Sequence, residues 1–247
     1  MPAALHVRKH ASVLAAAEKR LLEHLARGMP KAITSDHLTL LGLGAMMAAG
    51  VGFAAIRLSP WGAVAVIVAL GVNWFGDSLD GTLARVRRCE RPRYGFYVDH
   101  VIDLAGTTCL LAGMGCSGRM SPLIAAALLA AYLLVAAESY LATHANGVFR
   151  ISFGGLGPTE LRIVLAVGAV FMVRQTAPIV VATLPPMWLF DIGGIAALGG
   201  LVLVFVVSAV RNARALDRAE PVLRAADRLD RDSSRLERGA QLRGEGI

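Results

Sequence analysis

Four aspartates stand out in an otherwise apolar chain: Asp77 and Asp80, three residues apart, and Asp99 and Asp103, four apart. On a helix both spacings bring the pair to one face. Ionisable side chains are costly at membrane depth, so carboxylates kept there mark a functional cluster. Gathered in one place they repel each other, and in a medium of low dielectric only cations offset that repulsion. All-oxygen ligands favour Mg²⁺, Mn²⁺ or Ca²⁺ over zinc, and four acidic groups suffice for two ions about 4 Å apart. The plainer alternative is that the four acids pair with Arg85, Arg87 and Arg88 at an interface.

The residues between the pairs favour the chemical reading. Gly81 follows Asp80 directly, and without a side chain it lets a planar group or a phosphate approach the helix. Ala84 keeps the same face open a turn later, and Arg85 offers a planar fork to phosphate oxygens. Gly95 begins the next helix four residues before Asp99 and clears space on that side.

The elements that must position these residues are membrane helices. Of 247 residues, 55% are hydrophobic and 17% charged, the formal charge is +7 and the mean hydropathy is +0.58. A soluble domain carries roughly a quarter charged residues, so a water-soluble globule and a disordered chain are both excluded. A nucleic-acid partner is not expected. Cys89, Cys109 and Cys116 form no CxxC pair, which argues against a zinc site or a disulfide framework. Arg8 and Lys9 followed by Ala11 to Ala17 imitate a signal peptide, but the apolar run is short and meets Glu18, Lys19 and Arg20, so it is read as mature protein.

Apolar stretches at Leu38 to Ile56, Trp61 to Gly76, Val101 to Cys116, Pro122 to Ala137, Ile163 to Val173 and Ile192 to Val210 predict six transmembrane helices in an all-α, polytopic membrane protein. The fifth is the weakest, because Arg174 and Gln175 interrupt it. Six Lys and Arg precede the first span, five lie between the second and third and nine follow the sixth, whereas Arg57, Arg119 and Arg174 stand singly in the alternate loops. That alternation predicts both termini on the cytoplasmic side, in the inner membrane where the cell is bacterial. All four aspartates then lie at the cytoplasmic face. Leu14, Leu21, Leu22, Leu25 and Ala26 recur at helical spacing among basic residues, which predicts an N-terminal amphipathic helix on the membrane surface. The organisation expected is a cytoplasmic arm over 1–37, a catalytic membrane domain over 38–210 and a charged tail over 211–247 whose arginines meet anionic lipid headgroups. Glycines in the first span (Gly42, Gly44, Gly50, Gly52) and the last (Gly193, Gly194, Gly199, Gly200) let helices approach closely, within the chain or in a homodimer.

Written out, Asp77-x-x-Asp80-Gly81-x-x-Ala84-Arg85, nine residues and Gly95-x-x-x-Asp99-x-x-x-Asp103 resemble the signature of the CDP-alcohol phosphatidyltransferase superfamily. The spacer is about one residue longer than usual. The resemblance runs from Arg20 to roughly Arg211 and implies six membrane helices behind an amphipathic one. It also implies transfer of a phospho-alcohol from a CDP-alcohol to a second alcohol, a lipid or a soluble one, with release of CMP. By similarity Asp77, Asp80 and Asp99 ligate Mg²⁺ or Mn²⁺, two ions in all. Asp103 completes the site and takes the acceptor proton, while Gly81, Ala84, Arg85 and Gly95 border the CDP moiety.

Asp99-His100, Glu138-x-Tyr140 and Gly157-Pro158-Thr159-Glu160 resemble the branch of choline and ethanolamine phosphotransferases, in which the donor is a CDP-aminoalcohol and the acceptor a diacylglycerol-like lipid. In that reading His100, Glu138, Tyr140 and Glu160 line a headgroup pocket; otherwise the same residues cap helices and anchor the interface. Thr34-Ser35-Asp36-His37-Leu38-Thr39 stands where family members often carry Pro-Asn before Leu-Thr. Thr39 is a candidate nucleotide contact there, and Ser35 or Asp36 a plain helix cap. The alternative activity is transfer of a phosphatidyl group from CDP-diacylglycerol to a soluble alcohol such as inositol phosphate or glycerol phosphate. His100 replaces the Pro common after the first Asp of that motif, and Arg87, Arg88, Arg91, Arg93, Arg150 and Arg162 are the residues able to build a pocket for a phosphorylated acceptor. A transporter or a non-catalytic metal-binding protein is the reading from another class. Transporters place polar groups at the bilayer midplane on broken helices, and these aspartates sit at one face.

Overall fold

The computed structural model describes residues 15–146, 158–175, 177–180 and 186–220. Seven helices run through them: α1 (Ala15–Gly28), α2 (Ser35–Ala55), α3 (Trp61–Val86), α4 (Pro92–Gly115), α5 (Pro122–Asn146), α6 (Pro158–Arg174) and α7 (Leu189–Ala219). The last six fall on the six apolar stretches. Proline opens α4, α5 and α6 at the first helical position, where its missing N–H costs nothing and its fixed φ suits a helix. Among the described residues the one departure from an all-helical chain is an antiparallel bridge between Ile179 and Met187, closed by bonds of 2.7 and 3.0 Å.

Four helices are long and apolar enough to cross a membrane: Ser35–Ala55, Trp61–Val86, Pro122–Ala145 and Leu189–Ala219. The expectation of six crossings is therefore met in part. At 24 residues α4 has the length, but Arg93, Asp99, His100 and Asp103 dilute its first half; α6 has 17 residues, short of the roughly 20 a bilayer asks for. The chain divides into two units, Met1–Phe205 and Val206–Ile247. In the second, α7 continues to Ala219 and Asn212 bonds the Ser208 hydroxyl at 3.3 Å. The core and the candidate site belong to the first.

There α2 packs against both α3 and α4, α6 lies on α3, and α5 on α4. Small residues make this closeness geometrically possible. A Cβ on Gly76 of α3 would stand 2.6 Å from the Leu38 carbonyl oxygen of α2, and one on Gly113 of α4 would overlap the Gly50 carbonyl of α2. Between lipid-exposed helices there is no hydrophobic driving force, so such close dispersion contact supplies the cohesion. Phe53, Val66, Ala49, Ala169 and Met172 fill the resulting core and are almost wholly buried. The packing role expected of the glycines holds for Gly50, Gly52 and Gly194, and less tightly for Gly42, whose Cβ would make only ordinary contacts. Gly44, Gly193, Gly199 and Gly200 face open space.

The amphipathic segment forms α1, although Leu14 lies outside the described residues. It rests on protein: Leu22 and Ala26 are buried against Leu38, Leu79 and Leu83. Glu18 accepts bonds from Trp74 Nε1 at 2.7 Å and Thr159 Oγ1 at 3.1 Å, which ties α1 to α3 and α6. Arg87, an expected member of a phosphate pocket, instead donates to the carbonyls of Met29 (3.0 Å), Pro30 (2.9 Å) and Ile33 (2.6 Å). It thereby holds the α1–α2 turn beneath the end of α3.

Candidate active site

The signature residues occupy the last turns of α3 and the first turns of α4. Both helices run further toward the loop than the apolar stretches did, α3 to Val86 and α4 back to Pro92, so the whole motif is helical apart from Arg87 to Arg91. A Schellman arrangement ends α3: Cys89 N–H bonds the Ala84 carbonyl at 3.0 Å and Arg88 N–H the Arg85 carbonyl at 3.1 Å, with Arg88 in the left-handed region at φ 54°. Arg91 then pairs with Asp36 and lies over the Tyr94 ring at 4.0 Å, fastening the loop to the start of α2. Asp36 is therefore not the cap of α2. Thr34 is, in a capping box with His37, because its hydroxyl accepts from the His37 N–H at 3.3 Å.

Joined by a short basic loop, α3 and α4 are expected from the sequence to be antiparallel neighbours on which the four carboxylates can converge. The two helices instead share little packing, each leaning on α2, and their acidic faces look across the cleft between them. Asp77, Asp99 and Asp103 converge, each offering a carboxylate oxygen within 4.8 Å of the others. Asp80 does not join that group. Its carboxylate accepts from Thr39 Oγ1 at 2.7 Å and from the Gly81 N–H, and its carbonyl accepts from Ser35 Oγ at 2.6 Å. Thr39 also bonds the Ser35 carbonyl at 3.0 Å, so its hydroxyl is engaged in holding Asp80.

Asp77 has an unexpected partner. Arg162, in the second turn of α6, forms an ion pair with its carboxylate, and Arg162 Nε donates to Asn73 Oδ1 at 2.7 Å. Asn73 is buried and in turn donates to the Gly42 carbonyl at 3.0 Å. The clamp thus runs from the α2 backbone through α3 to α6. Arg162 was a candidate only for an acceptor pocket, and Asn73 was overlooked. Its signal was legible: an amide inside an apolar span, one helical turn before Asp77 and on its face.

Arg85 bonds Thr82 Oγ1 at 3.0 Å, and its guanidinium lies along its own helix, 3.5 Å from where a Gly81 Cβ would stand. Ala84 is half-buried and Gly95 exposed, with nothing within 4 Å of a Cβ built there. His100 Nδ1 donates to the Phe96 carbonyl (2.7 Å), and the His100 ring stacks on the Phe96 ring at 4.1 Å and meets Tyr140 of α5 edge-on at 5.4 Å. Glu138 and Glu160 are half-buried. Residues two apart on a helix differ by about 200° in direction, so Glu138 and Tyr140 leave the α5 backbone toward different faces. Arg150 and Gly157 lie outside the described residues, and Arg88 and Arg93 are exposed.

At the other end of the bundle, Asp191 is buried and accepts from the Ser121 N–H at 2.6 Å and the Trp188 N–H at 3.0 Å. It caps α5 and α7 together, a structural role that its place in the sequence did not disclose.

The donor set fits a hard divalent cation: three carboxylates, oxygen throughout, at the mouth of a helix cleft. The sequence model of the CDP-alcohol phosphatidyltransferase family matches residues 30–211. Among solved structures, the phosphatidylinositol phosphate synthase of Mycobacterium tuberculosis with CDP-DAG bound is similar, at 20% identity over 80% of this chain and 92% of that one, with a TM-score of 0.50. At that identity the likeness is one of fold. A search of curated protein sequences finds no significant match.

Proposed function

The chain belongs to the CDP-alcohol phosphatidyltransferase family, and from that premise we propose that it transfers a phosphatidyl group from CDP-diacylglycerol to the hydroxyl of a soluble alcohol such as inositol phosphate or glycerol phosphate. It is a membrane transferase of substituted phosphate groups that serves phospholipid biosynthesis. The observation that carries the reaction is the meeting of Asp77, Asp99 and Asp103 within the matched segment. For the donor, the fold shared with a synthase solved with CDP-DAG bound supports CDP-diacylglycerol over the CDP-aminoalcohol suggested by Asp99-His100 and Glu138-x-Tyr140.

In this reading Asp77, Asp99 and Asp103 would hold Mg²⁺ or Mn²⁺, and Asp80 would complete the set by turning its carboxylate from Thr39 toward them. The bound cation would offset the diphosphate charge of the donor and stabilise the departing CMP oxygen. Asp103, the exposed member of the three, is placed to receive the acceptor's hydroxyl proton. The acceptor oxygen bonds to the phosphorus that carries diacylglycerol, the P–O bond to CMP breaks, and CMP leaves with that electron pair. Arg85 at the edge of Gly81 can turn from Thr82 toward a phosphate with no change of backbone.

The test is metal-dependent CMP release by purified protein from CDP-diacylglycerol, CDP-choline or CDP-ethanolamine, each with soluble and lipid alcohols. CMP from CDP-diacylglycerol with a soluble alcohol is the expected result. Release from the aminoalcohol donors alone would restore that branch, and none from any donor would overturn the reading.

Six spans with cytoplasmic termini also belong to this proposal, supported by the alternation of basic loops. Cys89 and Cys116 are both exposed and stand at opposite ends of the bundle. In intact cells a membrane-impermeant maleimide should label Cys116 and spare Cys89 until the membrane is permeabilised. The reverse pattern would invert the topology.

A further inference from the structure

Arg162 is a cation already seated on a carboxylate that the reaction needs. Its side chain is 15% exposed and that of Asp77 28%, so the pair is largely shielded from water. The guanidinium is not free to wander: Nε is fixed by Asn73, which is buried and itself fixed to the α2 backbone at Gly42. The Arg162 guanidinium sets one positive charge on Asp77, which lowers the repulsion between that carboxylate and those of Asp99 and Asp103.

We propose that Arg162 is the resident counter-cation of Asp77, which an incoming divalent cation must displace, so that Arg162 sets the affinity with which the site takes up its metal. The inference rests on the metal reading given above. A cation ligated by Asp77 and a guanidinium paired with Asp77 would be like charges joined through one carboxylate, in a part of the molecule where screening by water is weak. Their competition is intrinsic to the geometry. It also makes Arg162 a positioning residue, one that keeps Asp77 aimed at Asp99 and Asp103 before metal arrives. A guanidinium that merely oriented Asp77 and stayed in place would have the opposite signature, because its removal would weaken metal binding.

The experiment measures Mn²⁺ binding directly, by paramagnetic resonance of the free ion, to full-length protein in lipid nanodiscs at fixed pH and salt. Arg162→Gln should bind Mn²⁺ about tenfold more tightly than the wild type. Asn73→Ala, which only loosens the clamp, should tighten binding by a smaller factor, and Arg162→Lys should fall between wild type and Arg162→Gln. Unchanged or weaker binding in Arg162→Gln overturns the inference. If that variant does not fold, Arg162→Lys and Asn73→Ala decide, and wild-type affinity in both overturns it equally. Wild-type protein that binds no Mn²⁺ saturably overturns the metal reading itself, a result distinct from failure of the competition alone.

Discussion

Asp103→Asn is expected to lower kcat for CMP release about 10²- to 10⁴-fold, the range a positioned general base contributes. The substitution preserves shape and removes the charge and the basicity. Asp103 is exposed in the first half of α4, so no core packing is lost and the variant should keep the thermal stability of the wild type. The measurement is kcat and KM for CMP release, with Mn²⁺ affinity determined in parallel. A collapse in kcat that survives at saturating metal identifies the proton acceptor, whereas recovery at high metal reduces Asp103 to a ligand. Activity within about threefold of wild type at every metal concentration would sink both roles.

The second large effect is on the fold. Gly113→Leu should leave little folded protein, because even the first carbon of the new side chain would overlap the Gly50 carbonyl, which is backbone and cannot turn aside. Separating α2 from α4 sacrifices their dispersion contact and moves Asp99 and Asp103 away from Asp77. Overpacking costs about 1–3 kcal/mol where side chains can adjust, and a backbone collision should exceed that range. The matched control is Gly44→Ala on α2, where a Cβ meets nothing within 4 Å. Alanine there should be neutral or stabilising by roughly 0.5–1 kcal/mol, since it restricts the unfolded chain and favours the helix. Size-exclusion profiles and Tm of the two variants in the same detergent check the contrast. Equal Tm values would mean that α2 and α4 do not cross at Gly50 and Gly113.

The helices were legible because a bilayer-length apolar run has few alternatives in lipid, where every backbone group must be bonded within its own segment. The motif was legible because three- and four-residue spacings assign carboxylates to helix faces. Helix ends were less so: apolarity stops at Gly76, but the backbone of α3 continues for ten more residues, since polar side chains at the membrane surface are no obstacle to a helix. The cap of α2 was placed one or two residues too late, because Thr34, Ser35 and Asp36 are all good caps and only the tertiary pairing of Asp36 with Arg91 settles the choice.

By itself, then, the chain's sequence determined a membrane-embedded helical transferase, its acidic signature and the one end of the bundle to which that signature is confined. Each of these follows from local periodicity, residue type and charge. Only the tertiary structure decided which carboxylates meet. Asp80 turns to Thr39 because α2 runs beside it, and Asp77 turns to Arg162 because α6 lies on α3. A residue's spacing along one helix fixes the face it occupies. Its partner depends on which other helix is brought to that face, and small residues such as Gly76 and Gly113 make that choice through the closeness they permit.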